Sequence, residues 1–176
     1  MAQLTDQLAK VAADRLEPGE VIMAGARCVP VGATSRRALT FGLAGALGGT
    51  VLTKLGAPAD HALHGESLPH DLALGLTERR ILVFAVSTLT GRATKVIRSV
   101  PLAHVVGVDN EESRSLGRKM PRLRLRFTDG STLALEAPGQ VPAARGFSQA
   151  LTQMVSGRSL AEASDSLVDG EESSHA

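Results

Sequence analysis

Apolar and polar positions alternate most clearly over residues 122–136. Leu123, Leu125 and Phe127 interleave with Arg122, Arg124 and Arg126, the period-two pattern of a half-buried strand. Asp129-Gly130 is a hairpin turn signal, and Leu133 and Leu135 resume the alternation. A two-residue loop would set Leu133 opposite Arg126, on the wrong face. A three-residue loop, Thr128 to Gly130, sets Leu125 opposite Leu133 and Leu123 opposite Leu135. The expected connection is therefore a type I turn with Gly130 left-handed and a bulge beside Ser131.

The same periodicity divides the rest of the chain. Leu4, Leu8, Val11, Ala12 and Leu16 share one face of a helix over 3–17, which Pro18-Gly19 ends. Residues 20–31 form a first strand. From Asp71 onward short strands follow one another: Leu72–Leu76, Arg79–Ser87, Thr94–Val100 and Leu102–Asp109. Ile81–Val86 is almost uninterrupted in apolar character, as in a strand buried on both faces. Pro101 suits a strand start or edge. Residues 57–70 and 110–120 are polar loops. A helix over 140–156 carries Ala144, Phe147, Leu151, Met154 and Val155 on one stripe, with Gly157 as its C-cap. Seven strands without alternating helices disfavour a parallel doubly wound sheet.

These elements occur in the order of a known plan. Residues 74–84, LGLTERRILVF, resemble the LTDRRLLVF hairpin of bacterial pleckstrin-homology-like (PH-like) domains. Residues 100–108, VPLAHVVGV, are similar to that family's IPLSDIxSV strand. The likeness covers residues 20–156 apart from the insertion at 34–70. It implies a mainly β fold with α: a seven-stranded antiparallel barrel or sandwich closed by a C-terminal helix. Around it stand an N-terminal helix (1–18) and a Gly/Ala-rich, helical insertion after the first strand. The PH-like domain then occupies 19–157, and 158–176 is an acidic, Ser-rich, disordered tail. The chain departs from many eukaryotic relatives in lacking a tryptophan in the closing helix, where Phe147 takes the plugging position. The resemblance implies a binding or scaffold module without catalysis or cofactor; fold alone does not carry lipid binding with it.

Composition and charge narrow the partners. The 176 residues include no Trp or Tyr and only 2% aromatics, which removes the stacking platforms of single-stranded nucleic-acid binders. Nucleic acid is accordingly disfavoured. One cysteine, Cys28, fits a reducing compartment and is expected as a buried structural thiol. The first ten residues lack an apolar signal core, so a cytoplasmic location is expected. Lys and Arg total 19 against 18 Asp and Glu, but residues 159–176 hold five of the acids and no Lys or Arg. The body is thus basic, and an anionic partner with a self-masking tail competes with a plainly solvated surface.

Residues 38–53 are uncharged and flanked by Arg36, Arg37 and Lys54. As a helix they would align Gly42, Gly45, Gly49 and Gly56, spacing that lets helices approach closely. Sixteen helical residues rise about 24 Å, short of the ~30 Å hydrocarbon core. The segment is read as a self-packing insertion or a contact between copies, with interfacial membrane contact as the alternative. The lipid-contact candidates are Arg36, Arg37 and Lys54, then Arg79, Arg80 and Arg92. A phosphate-loop reading fails because Lys54 is followed by Leu55. His61, His64, Glu66 and His70 match no metal signature, so no metal site is assigned. No nucleophile-elbow motif occurs, and no enzyme is predicted. Two readings remain: a PH-like module docking to a protein partner or an anionic membrane surface, and a self-assembling protein using residues 38–56.

Overall fold

The computed structural model describes residues 2–31, 62–63, 66–115 and 118–171. Helix α1 (Ala2–Val11) leads into β1 (Ala24–Pro30). Two-residue strands β2 (Ala62–Leu63) and β3 (Glu66–Ser67) pair with each other inside the segment read as a loop. Then follow β4 (Leu72–Leu76), β5 (Arg80–Val86), β6 (Ala93–Pro101), a 3-10 turn (Leu102–His104), β7 (Val105–Ser115), β8 (Arg118–Phe127), β9 (Thr132–Glu136) and helix α2 (Val141–Glu171).

Seven strands form one antiparallel sheet in the order β6-β5-β4-β1-β9-β8-β7. Strand β1 lies at its centre and divides its pairing. Ala24–Cys28 pair with β4, and Val29 and Pro30 pair with β9. The sheet is not closed: β6 and β7 are its two edges. Between them the chain turns through Pro101 and the 3-10 turn rather than a hairpin, which leads the two strands apart. One apolar core draws on both halves of the sheet and on the buried stripe of α2, Ala144, Phe147 and Leu151.

A second core explains the apolar run in β5. Ile81 and Val83 face the main core, while Leu82 and Phe84 face outward with Ala73. There Leu8 and Ala12 cover them, with Leu4, Val11 and Leu16 at the margin. Each such side chain contributes about 1.5–3 kcal/mol on burial. Gly25 permits the approach, since a Cβ there would stand 3.0 Å from Leu8 Cδ1.

The hairpin read from residues 122–136 has the expected register: Leu125 pairs with Leu133 and Leu123 with Leu135. Gly130 has φ +80° and its N–H donates to the Phe127 carbonyl, while Phe127 N–H donates to Ser131 O. These are the bonds of a three-residue loop with a glycine bulge.

Several boundaries depart from the sequence expectation, among them the start of the strand expected over Leu102–Asp109, whose first three residues form the 3-10 turn instead. Helix α1 ends at Val11 rather than 17. Residues 12–16 continue as turns, in which Arg15 N–H and Leu16 N–H both donate to the Ala12 carbonyl, and the Arg15 carbonyl accepts Arg80 Nη2 at 2.8 Å. The first strand starts at Ala24 rather than 20. Residues 110–115 and 118–120 are not a loop but the extension of β7 and β8. The sequence there is largely polar and charged, so the apolar period is missing although the strands pair. Finally, Gly157 is not a cap, because it lacks the positive φ that such a cap adopts and the backbone stays helical to Glu171. The segment read as a disordered tail is therefore helical as far as that residue. The proposed insertion helix lies outside the described residues.

Candidate functional site

The arginines of the sheet are mostly neutralised. On the outer face of β8, Arg122 meets Glu136 at 3.5 Å, Arg124 meets Glu111 at 3.7 Å and Arg126 meets Asp109 at 3.2 Å. Arg145 on α2 meets Glu112 at 4.0 Å. What reads in sequence as a basic stripe is thus a ladder of alternating charge across β7, β8 and β9. The Arg124, Arg126 and Arg145 pairs are exposed and add little stability, whereas Glu136 is buried against Arg122; in each pair the acid offsets the charge an anion would feel.

Two of the six lipid-contact candidates are likewise engaged. Arg79 pairs with Glu17. Arg80 grips Glu20 through two bonds, Nε to Oε1 at 2.9 Å and Nη2 to Oε2 at 2.5 Å. The Thr77 hydroxyl donates to Glu20 Oε1 at 2.7 Å. Arg80's bonds hold the Glu20 carboxyl well below its ordinary range, at about 2, against the opposing effect of burial. Arg80 in turn titrates above its ordinary value because of the same carboxylate. These residues fasten the Glu17–Glu20 bend onto the β4–β5 turn, a structural role. Arg36, Arg37 and Lys54 fall outside the described residues, as do Gly42, Gly45, Gly49 and Gly56.

Arg92 is different. It lines an open cleft of about 530 Å³ between α1, β1 and the β5–β6 turn, together with Lys10 and Arg27. Gln3, Gln7 and Gln140 add amide groups, and Asp6 is the one carboxylate on the wall. Among the described residues, no ion pair or hydrogen bond engages the side chains of Lys10, Arg27 or Arg92. A smaller recess of about 120 Å³ shares Arg27 and Gln140 and reaches Cys28 and Pro138.

The cleft is built by packing of distant segments. The helical spacing that buries Leu8 turns Gln3, Gln7 and Lys10 away from the second core. Arg27 lies on the outer face of β1, where alternation places it opposite the buried Ala26 and Cys28. Its guanidinium rests on Gly91: a Cβ there would stand 2.6 Å from Arg27 Nη2. Gly91 itself has φ +63°, ending the turn that delivers Arg92. Lys10 and Arg27 were not singled out from sequence. The available signal was Arg27 as a lone charge inside the apolar run 21–31.

Burial pushes the Cys28 thiol up to about 12, so it stays protonated and unreactive. Among the described residues no group of three His, Cys, Asp or Glu side chains is placed to hold a metal ion. Among them, too, no helix is long and apolar enough to cross a membrane. No protein-family model matches the chain, and no curated protein matches it in sequence.

Proposed function

We propose that this chain is a non-catalytic, cytoplasmic PH-like module that docks on an anionic membrane surface through Lys10, Arg27 and Arg92. The observation that carries the reading is charge bookkeeping across the sheet. Arg122, Arg124 and Arg126 of β8 have acidic partners, while the side chains of these three cations, unpaired among the described residues, converge on one open cleft. Three cations facing one carboxylate favour an anion there, and a cleft with low-dielectric walls concentrates their field.

The PH-like part of the reading is supported by the strand order, with the first strand central between two halves, and by α2 packing on the shared core. The two motifs that carry the resemblance lie in register with it. Residues 74–84 fall on β4, its turn and β5, and residues 100–108 fall on the β6–β7 corner. The non-catalytic part is supported by the inert Cys28 and by the cleft's content of cations and amides.

Flotation with phosphatidylcholine vesicles and phosphatidylglycerol-containing vesicles tests the reading. Recovery is expected with the anionic vesicles alone and falls as salt rises, because headgroup attraction is screened. Each cation near such a surface contributes about 1 kcal/mol, so replacing Lys10, Arg27 and Arg92 by Gln lowers partition by about a hundredfold. Equal recovery of the triple variant, or none of the wild type, overturns membrane docking and leaves an acidic protein as the partner to seek.

A further inference from the structure

Beside the cleft stands the most exposed large apolar side chain among the described residues. Leu89, at the tip of the β5–β6 turn, is 95% exposed, against 55% for the next, Val21. A single exposed leucine is ordinary on a protein surface. The setting of this one is not.

The turn that carries it is held rigid. Ser87 N–H donates to Arg92 O at 2.9 Å and Gly91 N–H to Ser87 O at 2.8 Å. Ser87 Oγ also accepts Thr90 N–H at 3.3 Å, and Thr90 Oγ1 accepts Arg92 N–H at 3.3 Å. Leu89 is therefore presented on a hydrogen-bonded turn, whose backbone has less conformational entropy to lose on contact. The same turn supplies Arg92 to the cleft, and the Arg27 guanidinium lies across its Gly91. Exposed Lys95 follows on β6. An apolar tip on a turn that also carries Arg92 and holds Arg27 at its Gly91 matches a bilayer surface, where anionic headgroups overlie hydrocarbon. A soluble anion would use the cations and ignore the leucine.

We propose that Leu89 is an insertion anchor that dips below the headgroups while Arg27 and Arg92 bind them. The inference rests on the membrane-docking reading above, and it adds depth and orientation to it.

The chain has no Trp or Tyr, so a Leu89→Trp variant carries a single long-wavelength fluorophore at the point in question. Its exposure in the free protein leaves the fold undisturbed, checked by circular dichroism. On mixing with phosphatidylglycerol-containing vesicles, its emission is expected to shift to the blue and to be quenched by lipids brominated along the acyl chain. In parallel, Leu89→Ser is expected to partition about tenfold less well than wild type. Vesicle recovery without shift or quenching, and with Leu89→Ser matching wild type, overturns insertion and leaves headgroup docking standing. Failure of the wild type to float with anionic vesicles overturns both.

Discussion

Arg80 and Glu20 form a two-pronged ion pair, and the Glu20 side chain is only 1% exposed within it. A carboxyl whose folded pKa lies below its unfolded value stabilises the fold above the unfolded value. That stability is lost as pH falls towards the folded one. For Glu20 the window runs from about 4.5 down to about 2, and the contribution at stake is up to about 3 kcal/mol. Denaturant titrations across this window should show wild type losing stability that Glu20→Gln does not. Coincident pH profiles would rule out the pair as the source. Arg80→Ala is the harsher change, about 3–5 kcal/mol at neutral pH, because it strands a buried carboxylate.

Gly91 and Gly130 separate backbone strain from the support of the cleft. Both have positive φ, but only at Gly91 does an added methyl meet a neighbour, the Arg27 guanidinium. Ala at either position should cost about 1 kcal/mol through its backbone. Gly91→Ala alone should also displace Arg27 and weaken recovery on anionic vesicles. Loss of binding in both variants would mean that stability, not Arg27, sets the affinity.

Cys28 should resist an aromatic disulfide reagent in the native protein and react with it stoichiometrically in guanidinium. Its burial keeps the thiol protonated and out of reach. Rapid labelling under native conditions would contradict the central placement of β1.

Leu8 fills the space over Leu82 and Phe84, so Leu8→Ala should destabilise the protein by roughly 2–5 kcal/mol. Removing residues 1–12 should expose that outer face and raise binding of a hydrophobic dye. An unchanged melting temperature for Leu8→Ala would show that α1 is not an integral part of the fold.

Local rules made some of this structure legible before any coordinates. The β8–β9 register followed from alternation plus one turn, because both halves of that argument lie within fifteen residues. Burial of β5 on two faces followed from its unbroken apolar run, although the residues covering it could only be guessed. The extension of β7 and β8 was hidden because its residues are mostly polar or charged, and such a run carries no hydrophobic period. The end of α1 was hidden because Leu16 keeps the apolar spacing while residues 12–16 change from helix to turns around the Ala12 carbonyl. The cleft is the plainest case: Lys10, Arg27 and Arg92 are ordinary cations in sequence and become a set only when β1, α1 and the β5–β6 turn meet. Arg79 and Arg80, conspicuous as a doublet, turn out to be fasteners.

The divided pairing of β1 joins one near partner and one distant one. Ala24–Cys28 meet Leu72–Leu76, but Val29 and Pro30 pair with Glu136 and Leu135, far along the chain. Contacts so distant in sequence close slowly, and a half-paired strand is open to wrong partners in the meantime. Proline at that end offers no N–H to a stray strand. The end of the central strand with the most distant partner is thus also its poorest template for a wrong one.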